Sequence, residues 1–245
     1  MSSNEPQLQK LKTVRNPQTD AHINGEYFKK NPTWHVEYSP LKAQIIYEVL
    51  RSRQIRPKTI GDVGCGAGEV LSLLQKNMDP ATCFWGYDVA APAIDMAKTR
   101  ENERLKFALA DFPETETPHF DLLLALEVID HVEDYIGFAR ALKNRAEWKF
   151  FSFSLDISVQ SAFRSDAFLK KRRNHSHLHH FNKQTALATL EYAGYEIVEY
   201  FYRQPNVTIS TTARLARPIR KAFFGMAPEL AVRIFGGYSL QVLAR

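Results

Sequence analysis

The chain has 245 residues, 44% of them hydrophobic, and a net charge of +5. That is enough apolar material to bury one large core, which argues against disorder. No run approaches the roughly 20 apolar residues of a membrane-spanning helix, and the polar first thirty residues lack the apolar centre of a secretory signal.

Two cysteines, Cys65 and Cys83, are too few for a disulfide framework, so reduced thiols in a cytoplasmic protein are expected. The basic excess gathers in Lys170-Lys171-Arg172-Arg173 and in the tail, at Arg214, Arg217, Arg220, Lys221, Arg233 and Arg245. Such a balance permits nucleic acid, an anionic membrane surface or an acidic substrate, and it selects none of them.

Residues 1–26 are polar. From Leu41 an apolar stripe (Leu41, Ile45, Ile46, Val49, Leu50) has helical spacing, and Pro40 suits the first turn. Strands are then expected at Thr59–Val63, Cys83–Asp88, Leu105–Ala110, Phe120–Leu126 and Lys149–Leu155. Helices are expected between them near Val70–Gln75, Ala91–Lys98 and Asp134–Lys143. This alternation implies a doubly wound α/β fold: a mostly parallel sheet with helices on both faces and right-handed crossovers. Later, Asn182 reads as the N-cap of a helix that Gly194 ends. Two β-rich runs follow, Tyr195–Tyr202 and Tyr238–Ala244. Between them Thr211–Phe224 reads as a basic amphipathic helix interrupted at Pro218.

The strongest chemical signal is Gly61-Asp62-Val63-Gly64-Cys65-Gly66-Ala67-Gly68, where a β-rich run ends in a glycine-dense turn before a helix. Glycine lets such a turn close tightly and lets backbone approach a ligand, while helix N-terminal amides offer donors. The spacing is G-x-G-x-G, with an acid two residues before the first glycine. It is not the G-x-G-x-x-G of dinucleotide-binding enzymes. Asp88 closes the second strand, where an acid can accept both hydroxyls of a ribose. Ala110-Asp111-Phe112 closes the third strand, and Glu127-Val128-Ile129-Asp130-His131-Val132 follows the fourth.

In order and spacing these four segments resemble the class I S-adenosylmethionine-dependent methyltransferases, in their small-molecule branch, over roughly residues 41–200. The resemblance implies a seven-stranded sheet with an antiparallel C-terminal strand and an N-terminal helical lid. It divides the chain into an arm and lid at 1–40 and a methyltransferase domain at 41–245. By that resemblance Asp62 and the backbone of Gly64, Cys65, Gly66 and Gly68 hold the methionine end of the cofactor. Asp88 and Val89 meet the ribose, Asp111 and Phe112 meet the adenine, and Glu127 and Val128 bind beside the cofactor where the acceptor enters. This sequence has Asp62 where many relatives have Glu, and Ile129-Asp130 where many have Leu-Glu; both changes keep an acceptor.

The implied reaction is transfer of a methyl group to oxygen or nitrogen of a small molecule. Nicotinamide-dependent redox chemistry on a similar fold is an alternative, against which the glycine spacing stands. A domain of this kind acting at a membrane surface or on nucleic acid is another. No nucleic-acid partner is expected, while the basic C-terminal helix offers a peripheral membrane or partner contact.

Two further stretches border this site. Asn31–Pro40 carries three aromatic groups (Trp34, His35, Tyr38) in a position suited to a water-excluding lid. His175-Ser176-His177-Leu178-His179-His180 follows the fifth strand and reaches the sheet edge where ligands of open α/β folds bind. Its imidazoles suit a general base, a metal or a pocket wall. No carboxylate or thiolate stands beside the run in a familiar ligand spacing, so no metal is expected. His179 and His180 adjoin the helix start at Asn182, and they rather than His175 and His177 are expected to line the acceptor pocket. With Glu127 and His131 they complete the candidates for catalysis.

Overall fold

The computed structural model describes residue 22, residues 25–204 and residues 211–245, apart from the side chains of 26, 114, 211–217 and 219. Helix α1 (Glu26–Lys30) and a 3-10 turn at Val36–Tyr38 lead into α2 (Ser39–Ser52), with Pro40 in its first turn. There follow β1 (Thr59–Val63), α3 (Glu69–Asn77), β2 (Cys83–Asp88), α4 (Ala91–Lys98), β3 (Leu105–Leu109), β4 (Phe120–Leu126), α5 (Tyr135–Lys143) and β5 (Ala146–Leu155). The later part comprises α6 (Val159–Ala162), α7 (Ala167–His175), α8 (Lys183–Tyr192), β6 (Ile197–Arg203), α9 (Thr211–Met226), α10 (Pro228–Phe235) and β7 (Tyr238–Ala244).

The seven strands form one sheet in the order β3-β2-β1-β4-β5-β7-β6. β1 to β5 run parallel, and β7 lies antiparallel between β5 and β6. The fold is the doubly wound sheet with an antiparallel C-terminal strand that the sequence implies. Its central strand, Phe-Asp-Leu-Leu-Leu-Ala-Leu, is an almost continuous apolar run, as a strand covered on both faces requires. Leu122, Leu124 and Leu126 pack with α2, α3 and α4 through Ile46, Leu50, Leu71, Leu74 and Ile94. Leu123 and Ala125 pack on the opposite face with Phe138 and Leu142 of α5, Leu190 of α8 and Val232 of α10. Burying each large side chain contributes roughly 1.5–3 kcal/mol, so the sheet is clamped from both sides. Strand order reverses between β1 and β4, and the crevice at their carboxyl ends is where such folds bind ligands.

Three expectations change. β5 begins at Ala146 rather than Lys149, because exposed Glu147 masks the start of an otherwise buried strand. Pro218 does not interrupt its helix: α9 runs through it. A proline forfeits one helical hydrogen bond and kinks the turn, and Phe223 and Phe224 beyond it pack on the core and hold the second half. The basic face expected there falls partly on Arg214 and Arg217, whose side chains lie outside the described residues. Arg220 turns inward, lying over the Phe235 and Tyr238 rings at 5.4 and 5.6 Å and donating from Nη2 to the Gly236 carbonyl at 2.6 Å. Among the described residues no helix is long and apolar enough to cross a membrane.

Candidate active site

A cavity of about 920 Å³ opens at the carboxyl ends of β1, β2, β4 and β5. One end of it is the glycine loop. Gly64 and Cys65 both donate their amides to the Tyr87 carbonyl, at 2.8 and 3.0 Å, which ties the loop to the end of β2. Gly64, Gly66 and Gly68 have φ of 72°, 55° and 75°, the left-handed region that glycine enters at little cost. A Cβ at Gly66 would stand 2.5 Å from the Trp34 ring, and one at Gly64 2.7 Å from Val128. The loop is therefore closed in by its neighbours as well as by its own backbone.

Two carboxylates face this loop. Asp88 accepts the Gly66 amide on Oδ2 at 2.8 Å and the Ala90 amide on Oδ1 at 2.9 Å. Burial raises its pKa, and those two amides draw it part of the way back. Asp62 is only 2% exposed, and its Oδ1 has no hydrogen-bond partner among the described residues. Burial pushes its pKa up to about 8, against the pull of Lys42 and with the help of Asp88. A buried acid with an oxygen unpaired among the described residues suits a ligand that carries a cation, such as the ammonium of an amino-acid moiety.

Val89, Asp111 and Phe112 line the same end. Phe112 is fixed from behind by Tyr87, ring to ring at 5.0 Å. The chain ahead of α2 closes the top. Trp34 and His35, both with positive φ, project into the cavity with Val36 and Tyr38. Tyr27 packs edge-on to Trp34 at 5.3 Å, and its hydroxyl lies 3.2 Å from His35 Nε2.

The opposite end is assembled from distant segments. Glu127 stands at the end of β4 with φ 59°, an uncommon conformation for a side chain of its size. Its Oε2 pairs with Lys42 at 2.7 Å, and its Oε1 accepts from Arg203 at 2.6 Å and from Ser239 at 3.0 Å. Burial would raise its pKa, but Lys42 and Arg203 override that and hold the carboxyl well below its usual range. So fixed, Glu127 is a permanent anion. His131 bonds through Nδ1 to the Ser176 carbonyl at 3.1 Å. Burial, reinforced by His177 and His22, lowers its pKa to about 3, which keeps the imidazole neutral.

The histidine run is placed differently from expectation. His175 and His177 line the cavity; His179 and His180 do not. The peptide turns at Ser176, φ 58°, and the amides of Leu178 and His179 both donate to the Asp130 carbonyl, at 2.7 and 3.1 Å. This pins the second half of the run against the end of β4. His179 then bonds the Glu133 carbonyl through Nε2 at 3.0 Å. His180 Nδ1 reaches Asp156 Oδ2 at 3.1 Å, and His177 Nδ1 reaches the same oxygen at 2.6 Å. Lys171 holds the other oxygen, Oδ1, at 3.1 Å.

Asp156, Lys42, Arg203 and Ser239 were not singled out from the sequence. Asp156 follows the end of β5 directly, as Asp88 ends β2, so an acid at a strand's carboxyl end was the available signal. The other three meet Glu127 only through long-range packing, which no local pattern carries.

A model of a methyltransferase domain matches residues 37–200 of the chain. The chain belongs to the methyltransferase domain family. Its members use S-adenosylmethionine, which is the cofactor of this methyltransferase too. No curated protein matches it in sequence. Among solved structures it is similar to a methyltransferase from Haloferax volcanii in complex with the Trm112 activator. The two are 12% identical over 92% of this chain and 96% of that one, with a TM-score of 0.64. It is similar to an S-adenosylmethionine-dependent methyltransferase from Mesorhizobium loti, 21% identical over 76% and 90%, TM-score 0.53. It also resembles magnesium protoporphyrin IX methyltransferase from Synechocystis with bound S-adenosylhomocysteine, 12% identical over 93% and 96%, TM-score 0.59. Those likenesses establish the fold that the methyltransferase shares with them.

Proposed function

We propose that the protein methylates oxygen or nitrogen of a small molecule, with the cofactor at the glycine-loop end of the cavity and the acceptor at the imidazole end. The observation that carries this reading is the division of one cavity into two chemically different ends. Its volume is at the top of the roughly 300–1,000 Å³ usual for small-molecule sites. The cover formed by Trp34, His35 and Tyr38 suits a small acceptor better than a macromolecule. The magnesium protoporphyrin IX methyltransferase it resembles is named for a small-molecule substrate. Two unpaired cysteines accord with a cytoplasmic setting.

In this reading Asp62 and the amides of the loop hold the methionine end, Asp88 the ribose, and Asp111 with Phe112 the adenine edge. When bound, the cofactor supplies an electrophilic methyl group on a sulfonium. What the protein adds is position: holding two reactants in line can contribute roughly 7–11 kcal/mol. Glu127, locked between Lys42 and Arg203, presents negative charge without moving. His131, neutral with Nδ1 engaged, offers a hydrogen-bond acceptor to a hydroxyl or amine, but with so low a pKa it is a poor proton store. Residues 25–40 serve as the lid over the methyltransferase domain, while most of the arm expected at 1–40 lies outside the described residues.

The test uses the protein with methyl-labelled cofactor and a cell extract divided by ultrafiltration. Label in the small-molecule fraction is expected. Label confined to protein or nucleic acid would overturn the small-acceptor reading. S-adenosylhomocysteine should raise the melting temperature, and NAD should not.

A further inference from the structure

The cluster at the end of β5 has a chemistry that methyl transfer does not require. Asp156 Oδ2, His177 Nδ1 and His180 Nδ1 converge so closely that the donor atoms lie within 4.8 Å of one another. Asp156 and His177 are buried, and the His180 side chain is 21% exposed. We propose that these three side chains bind a divalent transition-metal ion, zinc by preference, in the wall of the cavity.

The donor set comes first. Two imidazoles and a carboxylate are a usual set for a zinc site that keeps a position open, with arms of roughly 2.0–2.2 Å. Donors around such an ion stand about 3.4 Å apart, the edge of a tetrahedron with those arms. The separations from Asp156 Oδ2, 2.6 Å to His177 and 3.1 Å to His180, are hydrogen bonds that would open by roughly 0.8 and 0.3 Å as the ion displaces the ring protons. Asp156 is also divided in the right way. Lys171 occupies Oδ1 at 3.1 Å and leaves Oδ2 to the imidazoles, the pattern of a one-oxygen ligand steadied through its second oxygen.

Independent support comes from Asp130. It is 1% exposed, neither carboxyl oxygen meets full hydrogen-bond geometry among the described residues, and burial raises its pKa against the opposing pull of His177 and a Ser154 contact. Its Oδ2 lies 3.9 Å from His177 Nδ1. A carboxylate buried this deeply with only weak contacts is costly, and a cation beside it lowers that cost. A dipositive ion at the cluster would answer Asp130 and Asp156 together, with Asp130 as a fourth ligand or a near neighbour. The scaffold is stiff enough to hold such a site: the Asp130 carbonyl fixes the amides of residues 178 and 179, and the Ile157 amide donates to the Phe181 carbonyl at 3.1 Å.

The histidine run alone did not point to a metal because the carboxylate that completes the set comes from elsewhere in the chain. Asp156 stands 21 residues before His177. His177 and Asp156 line the cavity, so an ion there could take an oxygen of the acceptor. Only that last step rests on the proposed methyl transfer.

The experiment needs neither cofactor nor acceptor. The tag-free full chain is stripped with chelator, dialysed, and titrated with Zn²⁺ by calorimetry and with Co²⁺ by visible absorption. One ion per chain is expected, with the intense visible bands of four-coordinate cobalt. His177→Ala and Asp156→Asn should weaken binding at least 100-fold, and Asp130→Asn should weaken it roughly 10- to 100-fold. His179→Ala should bind as the parent does. His180 is less buried, so His180→Ala serves if the deeper variants fail to fold. S-adenosylhomocysteine affinity, measured on the same samples, separates loss of metal from loss of the cofactor site. Absence of saturable binding by the parent chain, or binding that persists in His180→Ala and Asp156→Asn, would overturn the proposal and leave a hydrogen-bonded cluster only.

Discussion

The two ends of the cavity are built by opposite means. At the glycine end, residues 61 to 68 fold against the end of the next strand, and backbone amides hold the loop in place. At the imidazole end, Lys42, Glu127 with His131, Asp156, His177, Arg203 and Ser239 arrive from six separate stretches of the chain. Backbone geometry needs particular residues at particular spacings, so the first end leaves a local trace. Side-chain networks need only partners that meet after folding, so the second leaves little.

Substitutions can test this contrast. The largest effect is expected from Gly66→Val. A side chain at φ 55° is strained, and its Cβ would collide with Trp34. Cofactor binding should fall below detection by calorimetry, and normal affinity would show that the loop is not the cofactor's seat. Glu127→Ala attacks the other end by leaving Lys42 and Arg203 facing each other without their carboxylate. The cost to folding should be about 3 kcal/mol in urea denaturation. A cost near zero would mean the network is decorative. Asp88→Ala should weaken S-adenosylhomocysteine roughly 10- to 100-fold while the protein stays folded.

Asp62 gives a smaller effect with a definite sign. Its pKa stands near 8, above the ordinary 3.8, so near neutrality the carboxyl is mostly protonated. A bound ammonium favours the ionised form. Cofactor affinity should therefore be full above pH 8 and fall as pH drops below it, by up to about tenfold per unit. The same raised pKa means that folding stability conferred by the protonated acid is lost as pH rises from about 4 to 8. Asp62→Asn should flatten the affinity profile and raise the melting temperature at pH 8. A wild-type affinity that does not change with pH would refute this role. The smallest effect belongs to His179→Ala, which should keep turnover within about twofold, since His179 points to the Glu133 carbonyl rather than the cavity.

This last prediction reverses what the sequence led one to expect, and the reason is instructive. His179 and His180 are anchored, but on the Glu133 carbonyl and on Asp156 rather than at the cavity surface. The deciding contacts, two amides on the Asp130 carbonyl and a left-handed turn at Ser176, are invisible in a row of histidines. Elsewhere the sequence was readable where periodicity was strong: β1, β2, β4 and β7 have the bounds expected of them. Helix α7 was missed because Lys170-Lys171-Arg172-Arg173 fills its middle and it buries no residue. Asp62, Asp88 and Asp111 were legible as candidates because each stands at the carboxyl end of a strand or beside it. Asp156 obeys the same rule and went unread for want of a familiar motif around it.

The chain contains three tryptophans. Trp85 packs against Phe120 at 5.8 Å, and Trp148 sits partly buried among core residues of the sheet. Trp34 is the one indole that borders the cavity, resting against the glycine loop. Anything that enters beneath it must change the polarity and mobility around that ring. The emission of this protein is therefore an internal optical gauge of occupancy: the Trp34 contribution should respond to ligand, while the other two tryptophans give a constant background.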